Sequence, residues 1–100
     1  MEYQLVLQFR GDSLADYDRM VAFEHQLSKE LGTSADVDGH DCGSGETNIF
    51  IFTVDPVATF SKIRKILKRE SRLDAVTAAY RQTDGEDYIV LYPEGSSTIS

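Results

Sequence analysis

Four of the seventeen acids, one of the two histidines and the only cysteine fall within thirteen residues, Asp36 to Asn48, which read DVDGHDCGSGETN. The stretch holds four acids (Asp36, Asp38, Asp41, Glu46), His40, the single cysteine Cys42, Asn48 and three glycines. On an extended strand, side chains repeat every second residue, so Asp36, Asp38, His40 and Cys42 are expected on one side. Such a row offers oxygen, nitrogen and sulfur donors to zinc or a similar ion, with Glu46 just past the turn. Residues two apart lie about 7 Å apart along a strand, so only a neighbouring pair, Asp38 with His40, chelates one ion easily. No second His or Cys cluster completes the set, because His25 falls on a helical stretch and Cys42 stands alone. No metal and no cofactor is called for.

Other chemistries fare no better. An EF-hand begun at Asp36 puts Asp41 where the loop needs glycine and Thr47 where it needs glutamate. The run GSGE lacks the lysine of a phosphate loop and precedes a strand rather than a helix. A Cys42 thiolate with His40 or His25 as its base would sit among acids that raise a thiol pKa, the wrong direction for a nucleophile. Acid–base work by His40, oriented by Asp38 or Asp41, is chemically sensible but needs a pocket. The reading with fewest requirements is structural: GSGE turns a hairpin, Asp36 and Asp38 guard an edge strand, and Gly39 marks a bulge. Asp36, Asp38, His40, Asp41, Cys42, Glu46 and Asn48 then remain as a candidate binding surface, with no catalytic residue assigned.

The elements that must position these residues are legible from periodicity. YQLVLQF, residues 3–9, alternates Tyr3, Leu5, Leu7 and Phe9 with Gln4, Val6 and Gln8, a strand. Ser13 with Asp16 makes a helix start, and Tyr17, Met20, Phe23 (with Val21), Leu27 and Leu31 form its stripe, ended by Gly32. NIFIFTV, residues 48–54, sets Ile49 and Ile51 against Phe50, Phe52 and Val54, so both sides are apolar and the strand is central. Asp55 followed by Pro56 starts a second helix, whose buried stripe is Phe60, Ile63, Ile66 and Leu67. Residues 74–82 and 87–93 read as two strands around Thr83-Asp84-Gly85-Glu86.

The order β-α-β-β-α-β with an added terminal strand predicts an α+β fold. It is a two-layer ferredoxin-like plait with an extra C-terminal hairpin strand, a single domain over residues 1–94 and a loose tail at 95–100. The first strand and NIFIFTV form its central pair. Two helices cover one sheet face only. The other carries Val6 and, depending on register, either Ile49 and Ile51 or Phe50 and Phe52, a patch that calls for a partner. A homodimer through that face or an edge strand is expected.

Composition narrows the class. The chain has 100 residues, 41% of them hydrophobic and 27% charged, and a net charge of −7. Six of the ten basic residues lie in 62–72 (Lys62, Arg64, Lys65, Lys68, Arg69, Arg72), with Glu70 the only acid there, so the remainder carries −12. That field repels nucleic acid, and the basic run reads as a solvated helix face. Tyr80, Tyr88 and Tyr92 suggest the aromatic platform of RNA-binding plaits, but packing accounts for them more simply. No apolar run spans a bilayer, the N-terminus lacks a basic leader region, and one cysteine suits a reducing compartment.

DVDGHDCGSGETNIFIFT, with YQLVLQF before it and DYIVLYP after it, resembles a group of small bacterial proteins that share a D-G-H-D-x-G-S-G-E-x-N-I-F run. The resemblance spans most of the chain and implies a bacterial, cytoplasmic origin; it carries no activity and no functional residue. The sequence therefore predicts a small cytosolic binding or regulatory module, dimeric and possessing a possible protein partner, rather than an enzyme. A small enzyme or metal-binding protein centred on Asp36 to Glu46 is the alternative. A second is an acidic immunity-type protein that neutralises a basic toxin through charge.

Overall fold

The computed structural model describes residues 2–10, 17–43, 46–71 and 73–93; for residues 10, 17–20, 42, 43 and 74 only the backbone is described. Five strands and two helices follow in the order β1 (Tyr3–Arg10), α1 (Tyr17–Leu31), β2 (Ala35–Gly43), β3 (Glu46–Thr53), α2 (Pro56–Arg69), β4 (Val76–Gln82) and β5 (Ile89–Tyr92). The strands form one antiparallel sheet in the order β2-β3-β1-β4-β5, an α+β architecture. As expected, β1 and β3 pair at its centre.

Alternation along β1 decides the core. Leu5, Leu7 and Phe9 are fully buried and pack with Ile49, Ile51, Val76 and Ala78 of the neighbouring strands. Phe23, Leu27 and Leu31 of α1 and Phe60, Ile63, Ile66 and Leu67 of α2 close over the same side. The stripes read from sequence are thus the buried faces, except that the side chains of Tyr17 and Met20, and the Ser13–Asp16 start, lie outside the described residues. Both sides of β3 being apolar, periodicity left its orientation open. Register resolves it: Ile51 pairs Leu5 and Ile49 pairs Leu7, beneath the helices, while Phe52 pairs Gln4 and Phe50 pairs Val6 on the opposite face. Val54, expected to extend the strand, lies beyond its end and is 72% exposed.

The helix boundaries follow their local chemistry. Gly32 ends α1 with φ +58°, the left-handed geometry glycine adopts without a Cβ penalty. Asp55 caps α2 by accepting the Ala58 N–H at 3.0 Å, with Pro56 in the first turn. Thr53 continues that anchor, its Oγ1 accepting the Asp55 N–H at 3.1 Å and meeting Thr59 Oγ1 at 2.7 Å in the interior. Arg69 donates to Glu30 Oε2 at 2.7 Å, tying α2 to α1.

The last hairpin forms around Thr83-Asp84-Gly85-Glu86 as expected, with the Gly85 N–H donating to the Gln82 carbonyl at 2.9 Å, though its strands are shorter than read. Residues 83–88 connect β4 to β5, and Arg81 Nη1 donates to the carbonyls of Gln82, Thr83 and Gly85 at 3.1, 3.1 and 2.9 Å. The guanidinium fork supplies the donors that a longer connection needs for its carbonyls. Among the described residues, no helix is long and apolar enough to cross a membrane.

Candidate functional site

The acidic stretch forms β2, an edge strand of the sheet, and the start of β3, so the hairpin reading holds for its strands; its connection, Ser44-Gly45, lies outside the described residues. The expected single row of donors is not what forms. Asp36 pairs Phe52 and Val37 pairs Ile51, but the next pair is Gly39 with Phe50, leaving Asp38 as an extra residue. This bulge reverses the alternation that follows it. His40 pairs Ile49 on the helix-covered side, whereas Asp36 and Asp41 sit on the opposite face with Phe52 and Asn48. Asp36 and His40 therefore cannot share an ion from one strand face. Of Cys42, only its backbone pairing with Thr47 is described. Among the described residues, no three or more His, Cys, Asp and Glu side chains gather to hold a metal.

His40 has a partner that strand periodicity could not reveal. Its Nδ1 lies 2.6 Å from Oε1 of Glu24 on α1, with the side chains 27% and 15% exposed. The imidazole is the group that meets this buried oxygen, which among the described residues has no hydrogen-bond partner. Glu24 is thus an acid beside His40 that the reading from Asp38 or Asp41 did not include. The signal in the sequence is an acid at position 24, which falls in step with Leu27 and Leu31 of the buried stripe. The pair fastens the edge strand to the helix, a structural use of the histidine. His25, the other one, is exposed on α1.

On the face away from the helices, pairing places residues in rows across the strands. One row runs Asp36, Phe52, Gln4, Arg81; the next runs Gly39, Phe50, Val6, Ala79, Val90; the third runs Asp41, Asn48, Gln8, Thr77. Val6 and Ala79 are buried, and Phe50, Phe52 and Val90 are half-buried. Gln8 is buried and donates from Nε2 to Glu46 Oε2 at 2.9 Å. Beside it, Asn48 Oδ1 is buried with no hydrogen-bond partner. Tyr88 reaches across the first row, its hydroxyl 3.5 Å from Gln4 Oε1, and the Arg81 guanidinium lies 5.9 Å from its ring centre.

Of the seven candidate residues, the structure therefore gathers Asp36, Asp41, Glu46 and Asn48 on the open face. It sends His40 to the helix side and leaves Asp38 at the bulge. Gln4, Gln8 and Arg81 join the surface; they were legible as the second side of β1 and as one of the few basic residues outside 62–72. The three tyrosines do not share a platform. Tyr80 meets Tyr3 edge-on (5.6 Å, 82°) and Tyr92 lies tilted against Phe60 (6.1 Å, 37°), both on the helix side, with Arg64 5.1 Å from the Tyr92 ring. A hollow of about 340 Å³ lies at the β4–β5 connection, lined among others by Tyr3, Tyr80, Glu86 and Asp87, and includes none of the seven. A shallower one of about 480 Å³ at the sheet end includes Asp36 and Phe52.

No family model, curated protein or solved structure matches this chain. The functional reading therefore rests on its geometry.

Proposed function

We propose that the chain is a small binding or regulatory module of the cytoplasm that works as a homodimer through the open face of its sheet. We read its β-α-β-β-α-β order as a ferredoxin-like plait extended by β5. The observation that carries the dimer is the pair Phe50 and Phe52. Both stand on a sheet face that bears no described helix, next to Val6, Ala79 and Val90. Half-exposed aromatics at the centre of such a face gain most from a second apolar surface. Around them, Gln4, Gln8, Asn48 and Thr77 form a polar surround of the kind that borders an interface. Asp38, the acid left at the bulge, lies at the margin, where a further protein partner of opposite charge would be steered.

Light scattering coupled to size exclusion, run over the micromolar range, tests this. The expected result is a dimer that dissociates on dilution, and a Phe50→Ser chain that stays monomeric with unchanged circular dichroism. A wild-type chain that is monomeric at the highest attainable concentration overturns the proposal.

A further inference from the structure

Resting on that reading, we infer that the second copy packs face to face about a two-fold axis that runs along the strands between β1 and β3, so that β2 of one copy covers β4 of the other. A symmetric pair of stacked sheets has two simple arrangements. With the axis along the strands, each row stays level and its order reverses. With the axis across the strands, strand order is kept and the rows reverse instead.

Charge separates the two. The first row has a carboxylate at one end, Asp36, and a guanidinium at the other, Arg81. An axis along the strands brings Asp36 of each copy over Arg81 of the other, twice per dimer. An axis across the strands lays β2 on β2 and brings Asp36 over Asp41, two like charges on a chain already at −7. Like charges meeting at an interface are disfavoured, so the first arrangement is selected. Arg81 gives Nη1 to the hairpin carbonyls, and among the described residues no carboxylate pairs with its guanidinium.

Shape agrees with charge. The same axis brings the half-buried Phe50 and Phe52 of each copy over β1 of the other, where Gln4 and the Tyr88 hydroxyl that reaches it lie opposite Phe52. Stacked sheets lie about 10 Å apart, a gap that an arginine and an aspartate reaching toward each other can close. Their strands cross by about 30°, which shifts the row ends by a few ångströms but leaves each arginine nearer Asp36 than Asp41. Four strands by three rows make a face of about 400 Å² per copy, about 800 Å² in total and below the ~1,000 Å² of a stable interface, so the dimer is weak and exchanges with monomer.

The test is the dimer dissociation constant, measured by sedimentation equilibrium, for wild type, Asp36→Asn and Asp41→Asn. Both variants lose one negative charge, so general repulsion falls equally in each. The inferred axis predicts that Asp36→Asn weakens the dimer about fivefold to tenfold, because two pairs are lost, while Asp41→Asn leaves it unchanged or slightly tighter. Tightening in both variants, or no change in Asp36→Asn, overturns this axis but leaves the homodimer standing. A wild-type chain that never dimerises overturns both.

Discussion

At Gly39 the backbone takes φ +147°, a value that a residue with a Cβ rarely adopts, yet no atom stands within 4 Å of where that Cβ would be. The requirement is torsional rather than steric. It matters because the bulge at this point decides which face His40 and Asp41 occupy. Gly39→Ala is therefore expected to cost about 1–3 kcal/mol, read as a lower urea midpoint with an unchanged slope. A loss below about 0.5 kcal/mol, no more than an ordinary surface change, would mean that the bulge tolerates other torsions. Gly39 was legible as a bulge, but its consequence for the candidate site was not. Period-two reading assumes an unbroken ladder, and one unpaired residue transfers every later side chain to the other side. The same limit hid Glu24, since its contact with His40 joins residues sixteen apart through the packing of α1 on β2.

Among the elements, the helices were the most readable, because a stripe at three and four and an Asp-Pro start are local properties. The contacts that hold them together were not. Arg69 on α2 meets Glu30 on α1, and that hydrogen bond is the main cause of a Glu30 pKa below the ordinary 4.5; desolvation opposes it, and Gln26, the charge of Arg69 and Lys29 each add a lesser lowering. A carboxyl whose folded pKa is depressed adds stability above its unfolded pKa and loses it as pH falls through the folded value. Glu30→Gln is accordingly expected to lower the urea midpoint slightly at pH 7 and to leave it equal to wild type in strong acid. Because the group is exposed, the effect is small. A deficit of equal size at both pH values would assign the loss to packing instead of charge. The β4–β5 connection makes a similar point: Asp84-Gly85 signals a turn, but its length follows from three carbonyls collected by Arg81.

For the whole molecule, the number and order of elements were legible because two amphipathic helices and five short strands admit few arrangements of one sheet. The face of β3 that meets the helices was not, since isoleucine and phenylalanine alternate and either set can fill a core. Pairing with β1 breaks the tie: Leu5 and Leu7 already belong to the helix side, and Ile51 and Ile49 are their partners. Adjacent residues of β3 should consequently report two different equilibria. Ile51 is fully buried, so Ile51→Ala is expected to destabilise folding by about 2–4 kcal/mol, through lost transfer energy and the cavity left behind. That deficit belongs to the protomer and should persist on dilution. Phe52 is half-buried on the open face, so Phe52→Ala is expected to cost much less in dilute solution. If the face associates, a dimer that binds only folded chains raises the melting temperature as concentration rises. Wild type and Ile51→Ala should then both melt higher when concentrated, and Phe52→Ala should lose most of that dependence. Melting curves at two concentrations a hundredfold apart check all three chains. Concentration-independent melting of the wild type would leave Phe50 and Phe52 as ordinary surface aromatics and remove the reason for a second copy.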